Sequence, residues 1–509
     1  MARANSCSEN QSGRHHSGQL ITRRYLLRLV AAGGAGLAVQ QLLAACQPAA
    51  TPPAKTEQPG AAPPLKVTPV AELEGIVAPT AALGQLPAQT IVVAVFSGPE
   101  ADAHKRLAPK FEEYTKGKVK VVLEDLGRPP ALDQKFMAVL MAKSDAWDVI
   151  YSNSRKLPAN VESGFFVPLK SFMDDPQLFN AKAYDLQDFP EGTQNLQSYK
   201  GKLYGFMQEI AIILVAYRKD LLDKYGIKAP PASGWTWEGL RDVCLVLKDK
   251  LKADGQPADV FPLSFGVKGP LGAQQAIHAF WGNGVEWFDE VTQMPKFYQP
   301  GAVEALKFTT DLVWKDQIVS PGLTDYAYME VLTAFQQGKA AIALQWVGAA
   351  PTWNNKSQSP VTAGKTGYTV YPTFSKKAPN FMPGYAAGTG IAVSAFSKKQ
   401  KAAFEYLVWF TSKEVARDYV VNGGGVSGRA SLLGDPKILE TLGEHMTAHG
   451  NQLKALHRWP DTPESDWIES QGLAPSLNAM WTKMASIDDA LKQADKNVID
   501  YYRQKGYLK

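Results

Sequence analysis

A chain of 509 residues is long enough for two or more domains with substantial cores. Its 45% hydrophobic and 20% charged residues are ordinary for a soluble globular protein and argue against a disordered or membrane-embedded one. The formal net charge of +5 is concentrated at the front, where Arg3, Arg14, Arg23, Arg24 and Arg28 face Glu9 alone within residues 1–45. The remainder is close to neutral, so no basic field is left to recruit nucleic acid.

The basic segment up to Arg28 precedes "LVAAGGAGLAVQQLLAA", a run of 17 residues with three glycines and two glutamines. A membrane-spanning helix needs about 20 predominantly apolar residues, whereas a polar, basic start before a short apolar run is the pattern of a secretory signal. "TRRYLL" (22–27) resembles the twin-arginine export signal. "LLAAC" (42–46) resembles the bacterial lipobox, in which cleavage leaves the cysteine as a lipid-bearing N-terminus. Residues 1–45 are therefore expected to be a signal peptide of twin-arginine, lipoprotein type, and Cys46 the lipidation site. An uncleaved signal anchor with an incidental cysteine is the competing reading. Residues 46–87, rich in Pro, Ala and Thr, cannot bury enough surface to fold and read as a tether. Together these place the folded body outside the cytoplasm, lipid-anchored to the cell membrane and facing a periplasm or the cell surface. With Cys7 and Cys46 accounted for, Cys244 has no intramolecular partner. Its setting, "WEGLRDVCLVLKDKL", suits an amphipathic helix with a buried thiol behaving as a small hydrophobe.

From Gln89 strand and helix signals alternate. "TIVVAVF" (90–96) reads as a strand buried on both faces. "EADAHKRLAPKFEEYTKG" follows as a helix closed by Gly117, then "KVKVVLED" as a strand, "ALDQKFMAVLMAKS" as a helix and "WDVIYS" (147–152) as a third strand. This order predicts an α/β fold with an open, mostly parallel sheet. Ligands of such sheets bind beyond the carboxyl ends of the strands, here at "FSGPE" and "YSNSR". Further strands are expected at 213–218, 339–346 and 388–396, with helices around 219–225, 237–253, 270–282, 299–316 and 327–338, and a mainly helical tail from Pro463.

Four segments in order resemble the extracellular sugar-type solute-binding proteins of ABC importers. They are "WDVIYSNSRKLPANVESGFFVPL", "YKGKLYGFMQEIAIILVAYRKDLLDKYGIKAPPASGWTWEGL", "FQQGKAAIALQW" and "AGTGIAVSAFSKKQKAAFEYLVWFTSKEVARDYVVNGGGVSGR". The resemblance spans about residues 90–430. It implies a two-lobed periplasmic-binding-protein fold, each lobe a mostly parallel sheet flanked by helices, with the ligand cleft between lobes. The expected division is 88–210 and 378–420 for lobe 1, and 211–377 and 421–509 for lobe 2. Two departures bear on ligand identity: "FMQE" (206–209) stands where the family commonly has Pro-Tyr-Asp, and Tyr217-Arg218 where it has Tyr-Asn.

Sugars present hydroxyl edges and apolar faces, so their sites pair aromatic platforms with polar groups. The resemblance places Glu100, Ser152, Asn153, Glu209, Trp346 and Tyr385 at the cleft, with Trp281 as a second platform and Arg429 as a polar contact. Each has a plainer reading. Glu100 suits the first turn of a helix, and Ser152, Asn153 or Ser154 could cap the next helix. An unpaired Glu209 would be costly in a core. Trp281, on a helix, could be core. "NGGGVSGR" (422–429) lacks the Lys-Ser/Thr of a P-loop and reads as a hinge or cleft-rim loop. His278 reads as a helix-face residue, since no second ligand sits at metal spacing.

The expected function is capture of a mono- or oligosaccharide by lobe closure, as a monomer, and delivery to membrane permease subunits, with no catalysis, cofactor or metal. The alternatives are a secreted carbohydrate-active enzyme, which needs two carboxylates facing each other across a cleft at roughly 5–9.5 Å, and a binding protein for a polyamine, peptide or iron. Replacing Cys46 with Ser should release the protein from membranes. Retention of Cys46→Ser in alkaline-washed membranes would overturn the lipoprotein reading.

Overall fold

In the computed structural model the described residues are 86–508 apart from 128–130, 290, 377–383, 454–455 and 458. The expected signal peptide, Cys46 and the tether through residue 85 lie outside the described residues. Leu86, the first described residue, is buried in the core.

Among the described residues nine strands form one sheet: β1 (Gln89–Val95), β2 (Val119–Asp125), β3 (Val149–Asn153), β4 (Gly205–Arg218), β5 (Phe261–Ser264), β6 (Ala340–Trp346), β7 (Thr366–Thr369), β8 (Gly384–Val393) and β9 (Leu456–His457). Their order is β2-β1-β3-β8-β4-β6-β5, with β7 also on β4 and β9 on β8. β1 runs parallel to β2 and β3, and β6 parallel to β5. The sheet is nonetheless more mixed than the sequence pattern implies. β8 is antiparallel to β3 and β4, and β4 is antiparallel to β6 and β7. The cause is that β4 serves both lobes: Gly205–Ile212 pairs with β8 and Ile213–Tyr217 with β6.

All described residues belong to one compact unit, Pro69–Lys509. One face of the sheet carries a single continuous core, holding Ile91 and Val93 of β1, Ile210 through Ala216 of β4 on alternate positions, and Ala340 and Ala343 of β6. The other face carries two separate cores. One gathers Ala94, Ile150, Leu132, Phe136 and Trp147; the other gathers Ile213, Val215, Leu263, Trp237 and Trp481. The lobes are thus joined along one side and parted along the other.

Local sequence accounts for the flanking helices. α1 (Pro99–Tyr114) begins with proline and carries Glu100 and Asp102 in its first turn, both favourable at a helix N-terminus. α2 (Ala131–Met141) covers the β3 side of the first lobe. α3 (Trp237–Ala253) is capped by Thr236, whose Oγ1 accepts from the Gly239 N–H at 3.0 Å, and buries Leu240, Cys244, Leu247 and Leu251 on one stripe. Cys244 is fully buried, and burial pushes its thiol up. α4 (Pro270–Gly282) is buried from Leu271 onward, and α5 (Gln400–Phe410) from Ala402 onward.

Past Val421 the chain contacts both sides: Arg429 pairs with Asp188 and Asp435 with Arg417, while His445 packs edge-on against Tyr368 of β7.

Among the described residues four histidines are buried: His104, His278, His445 and His449. Burial lowers the first three to about 4 and His449 to about 3. Folded, they stay neutral; unfolded, they take up protons near pH 6.5. The stability they support is therefore present at pH 7 and lost as pH falls below 6.5, at up to about 1.4 kcal/mol per pH unit for each. The melting temperature should fall steadily from pH 7 to pH 5, and His449→Gln should flatten that slope. A melting temperature that rises on acidification would contradict neutral, buried imidazoles.

Candidate functional site

The carboxyl ends of β1 and β3 open into a groove of about 520 Å³ between the lobes. The first lobe lines it with Phe96, Phe136, Tyr151, Asn153, Arg155 and Lys156. The second lobe contributes Pro270, Asp466, Glu469, Ser470 and Gln471. Other hollows lie elsewhere: one of about 620 Å³ is lined only by second-lobe residues around Trp314 and Lys483, and one of about 490 Å³ lies beside Leu86 and Phe172. Position at the strand ends singles out the groove between lobes.

Alternation along β3 decides what faces it. Tyr151 and Asn153 line the groove, whereas Ser152, between them, is fully buried on the opposite side. Phe96, just past β1, stacks on Tyr151 with centroids 5.2 Å apart. Asn153 donates to the Tyr151 hydroxyl at 3.0 Å, and its Oδ1 accepts from the Arg155 N–H at 3.0 Å, fixing the turn. Ser154 joins this loop to β8 instead of capping a helix, its Oγ accepting from the Gly388 N–H at 2.9 Å. Beneath Phe96 and Tyr151 lies a much smaller hollow lined by Glu100, His104, Gln208 and Thr389.

Glu100 lines this hollow, and Glu209 acts with it on two nearby phenols. Burial pushes the Tyr151 phenol up against the Asn153 hydrogen bond, and the charges of Glu100 and Glu209 push it the same way. Tyr419 is raised by burial and by the same two carboxylates. Glu209 aligns with Thr389, which aligns in turn with Asn153, so the three form one row across β4, β8 and β3. The glycine-rich loop reaches this row closely. Gly425 has φ of 121°, and a Cβ there would stand 2.6 Å from the Glu209 carboxyl carbon.

Charge pairs span the groove. Arg155 on the first wall pairs with Glu469 on the second. Lys156 pairs with Asp133 at 2.8 Å on its own side and with Asp466 at 3.8 Å across. Charge-assisted bonds of this kind, partly out of water, are the stronger ones.

Of the expected residues, Asn153 lines the groove, Glu100 lines the small hollow beneath it, and Glu209 stands in the row with Thr389 and Asn153. Ser152 is directed into the first lobe. Trp281 is 3% exposed, with His457 stacked on its ring at 4.7 Å. Trp346 ends β6 half-buried against the second-lobe core and is not among the groove-lining residues. Tyr385 lies in β8 opposite His457, and its side chain is outside the described residues. Arg429 is fully buried in the first lobe. It donates to the carbonyls of Thr411 and Tyr184 at 2.8 and 2.9 Å, pairs with Asp188 at 3.2 Å and lies over the rings of Tyr184 and Phe189. A guanidinium so fully engaged has nothing to offer a ligand. The sequence reading missed Phe96, Tyr151 and Arg155, although it pointed to their loops. It also missed Glu469, in a tail read only as helical.

The family model for bacterial extracellular solute-binding proteins matches residues 97–417, and the chain belongs to that family. It is 26% identical to the mannitol-binding protein of Pseudomonas aeruginosa, over 83% of this chain and 95% of that one. It is 24% identical over 64% of this chain to a Sinorhizobium fredii protein, covering 70% of it, named "Probable amino-acid ABC transporter periplasmic-binding protein". Among solved structures it resembles maltose-bound MalE3 of T. maritima, with a TM-score of 0.70 and 21% identity over 80% of this chain and 98% of that one. It also resembles an Agrobacterium vitis solute-binding protein with bound D-mannitol, with a TM-score of 0.67 and 23% identity over 82% and 99%. These likenesses agree with the two-lobed α/β architecture seen here.

Arg429→Leu should leave Asp188 without its cation and the Thr411 and Tyr184 carbonyls without their donor, and cost about 3–5 kcal/mol of stability. Ligand affinity of the fraction that remains folded should be unchanged. A weakened ligand with unaltered melting would instead put Arg429 at the site.

Proposed function

We propose that this protein is the substrate-binding lipoprotein of an ABC importer, and that it captures an uncharged polyhydroxy compound, a sugar or sugar alcohol, between its lobes. The observation that carries the ligand class is that both cations of the groove are already paired with acids. Arg155 is matched by Glu469 and Lys156 by Asp133, while Phe96, Phe136 and Tyr151 supply apolar faces. A neutral ligand with hydroxyl edges leaves those pairs intact, whereas an amino-acid carboxylate would have to break one of them. The names of the relatives that bind mannitol and maltose support the same class. The carboxylates on the two walls are held by cations, which favours capture over acid–base hydrolysis.

Capture follows from the two-sided cores. The continuous core joins the lobes on one face, so closure brings the Asp466–Gln471 wall toward Tyr151 and Asn153 and shifts the population to the closed form when ligand bridges both. The chain then acts as a monomer on the outer face of the membrane, held by lipid at Cys46, and presents its closed form to permease subunits.

The test is a thermal-shift and titration panel of D-mannitol, ribitol, maltose, amino acids and polyamines, with recovery of unaltered ligand. Saturable stabilisation by a polyol or sugar, returned intact, is the expected result. Binding of amino acids alone would shift the ligand class, and conversion of the ligand would make the protein an enzyme. Tyr151→Ala should weaken the bound sugar by about 1–2 kcal/mol, roughly five- to thirty-fold, read on the folded fraction because the Phe96 stack is lost with the ring.

A further inference from the structure

The helix forming the second wall is not uniform. Ser465–Trp467 is α-helical, Ile468–Leu473 opens into a π-helical turn, and Ala474–Trp481 resumes the α-helix. Pro475 accounts for the widening, since it offers no N–H to the Gln471 carbonyl and its ring would crowd that carbonyl in α geometry. The widened turn brings Glu469, Ser470 and Gln471 to the groove.

Glu469 is 1% exposed. Its Oε1 accepts from the Arg155 guanidinium across the groove and from Gln274 Nε2 at 2.6 Å on its own side. Its Oε2 is buried and has no hydrogen-bond partner among the described residues. A buried acceptor left bare is uncommon in native proteins, and one in a ligand groove is accounted for when the ligand brings the donor.

We propose that Glu469 is a specificity-determining ligand contact, with Arg155 and Gln274 fixing its carboxylate so that Oε2 accepts a hydrogen bond from a ligand hydroxyl. This rests on the polyhydroxy-ligand reading. Because Arg155 sits on the opposite wall, the acceptor is fixed in this orientation only when the lobes are together. The contact therefore rewards the closed form and disfavours ligands with an anionic group at that end.

The experiment is isothermal titration of the best-binding polyol and its monodeoxy analogues, with ligand-free melting recorded for each variant. In Glu469→Gln the amide oxygen stays toward Arg155, so the ligand hydroxyl must turn to accept from a neutral NH₂ instead of donating to a carboxylate. Affinity should drop at least about tenfold. The wild type's penalty for one particular missing hydroxyl should shrink to less than about threefold, with ligand-free melting little changed. Glu469→Asp keeps the charge before Arg155 and withdraws the acceptor by one methylene. It is the variant to read if the glutamine loses its fold, and it should also lose affinity. A folded variant that keeps both affinity and hydroxyl discrimination overturns the assignment while leaving the functional reading in place. A wild type that binds no polyol or sugar overturns both.

Discussion

The structure depends on one uninterrupted strand. β4 is buried at every position but Ala211, and its two halves belong to different lobes. Its alternation assigns Leu214 and Ala216 to the continuous core and Ile213, Val215 and Tyr217 to the second-lobe core. A single backbone therefore fixes how the lobes are joined without filling the space between them on the other face. β8 runs antiparallel beside it, with a register shift between Thr389 and Gly390 where Glu209 and Asn153 are brought into one row. Irregular pairing next to a site is a common way of aiming side chains.

The groove inherits its chemistry from that geometry. Strand ends supply the aromatic wall and the polar turn of Asn153, while a helix near the end of the chain supplies the opposing acids. Buried ion pairs seldom add net stability because desolvation offsets attraction. Pairs that straddle a groove and are partly open to water have a different role: they set which charges a ligand meets.

Much of this was legible in the sequence. The runs at 90–96, 147–152 and 339–346 are strands with boundaries within a residue or two, because short, largely apolar stretches bounded by turns have few other solutions. β4 was legible only in its second half. Gln208 and Glu209 interrupt the apolar pattern, and they are buried because the fold supplies partners that no local rule reveals: Gln208 bonds His104 and Tyr419, residues distant in sequence. Arg429 misled for the converse reason. Its glycine-rich setting suggested a cleft rim, yet Thr411, Tyr184 and Asp188 converge on it from elsewhere in the chain. Arg155 and Glu469 are 314 positions apart, and nothing periodic links them. Pro475 inside an otherwise helical tail was the one local sign that the helix there departs from regular geometry.

Cys244 is the one cysteine between residues 86 and 508, and it faces the interior of α3 with its thiol pushed up by burial. Thiolate chemistry at neutral pH is therefore closed to it. The folded body is in effect a thiol-silent scaffold, so a cysteine placed at Gln471 would be the group that a maleimide dye finds there. A fluorophore on that wall would sense the water leaving the groove, turning lobe movement into an optical signal.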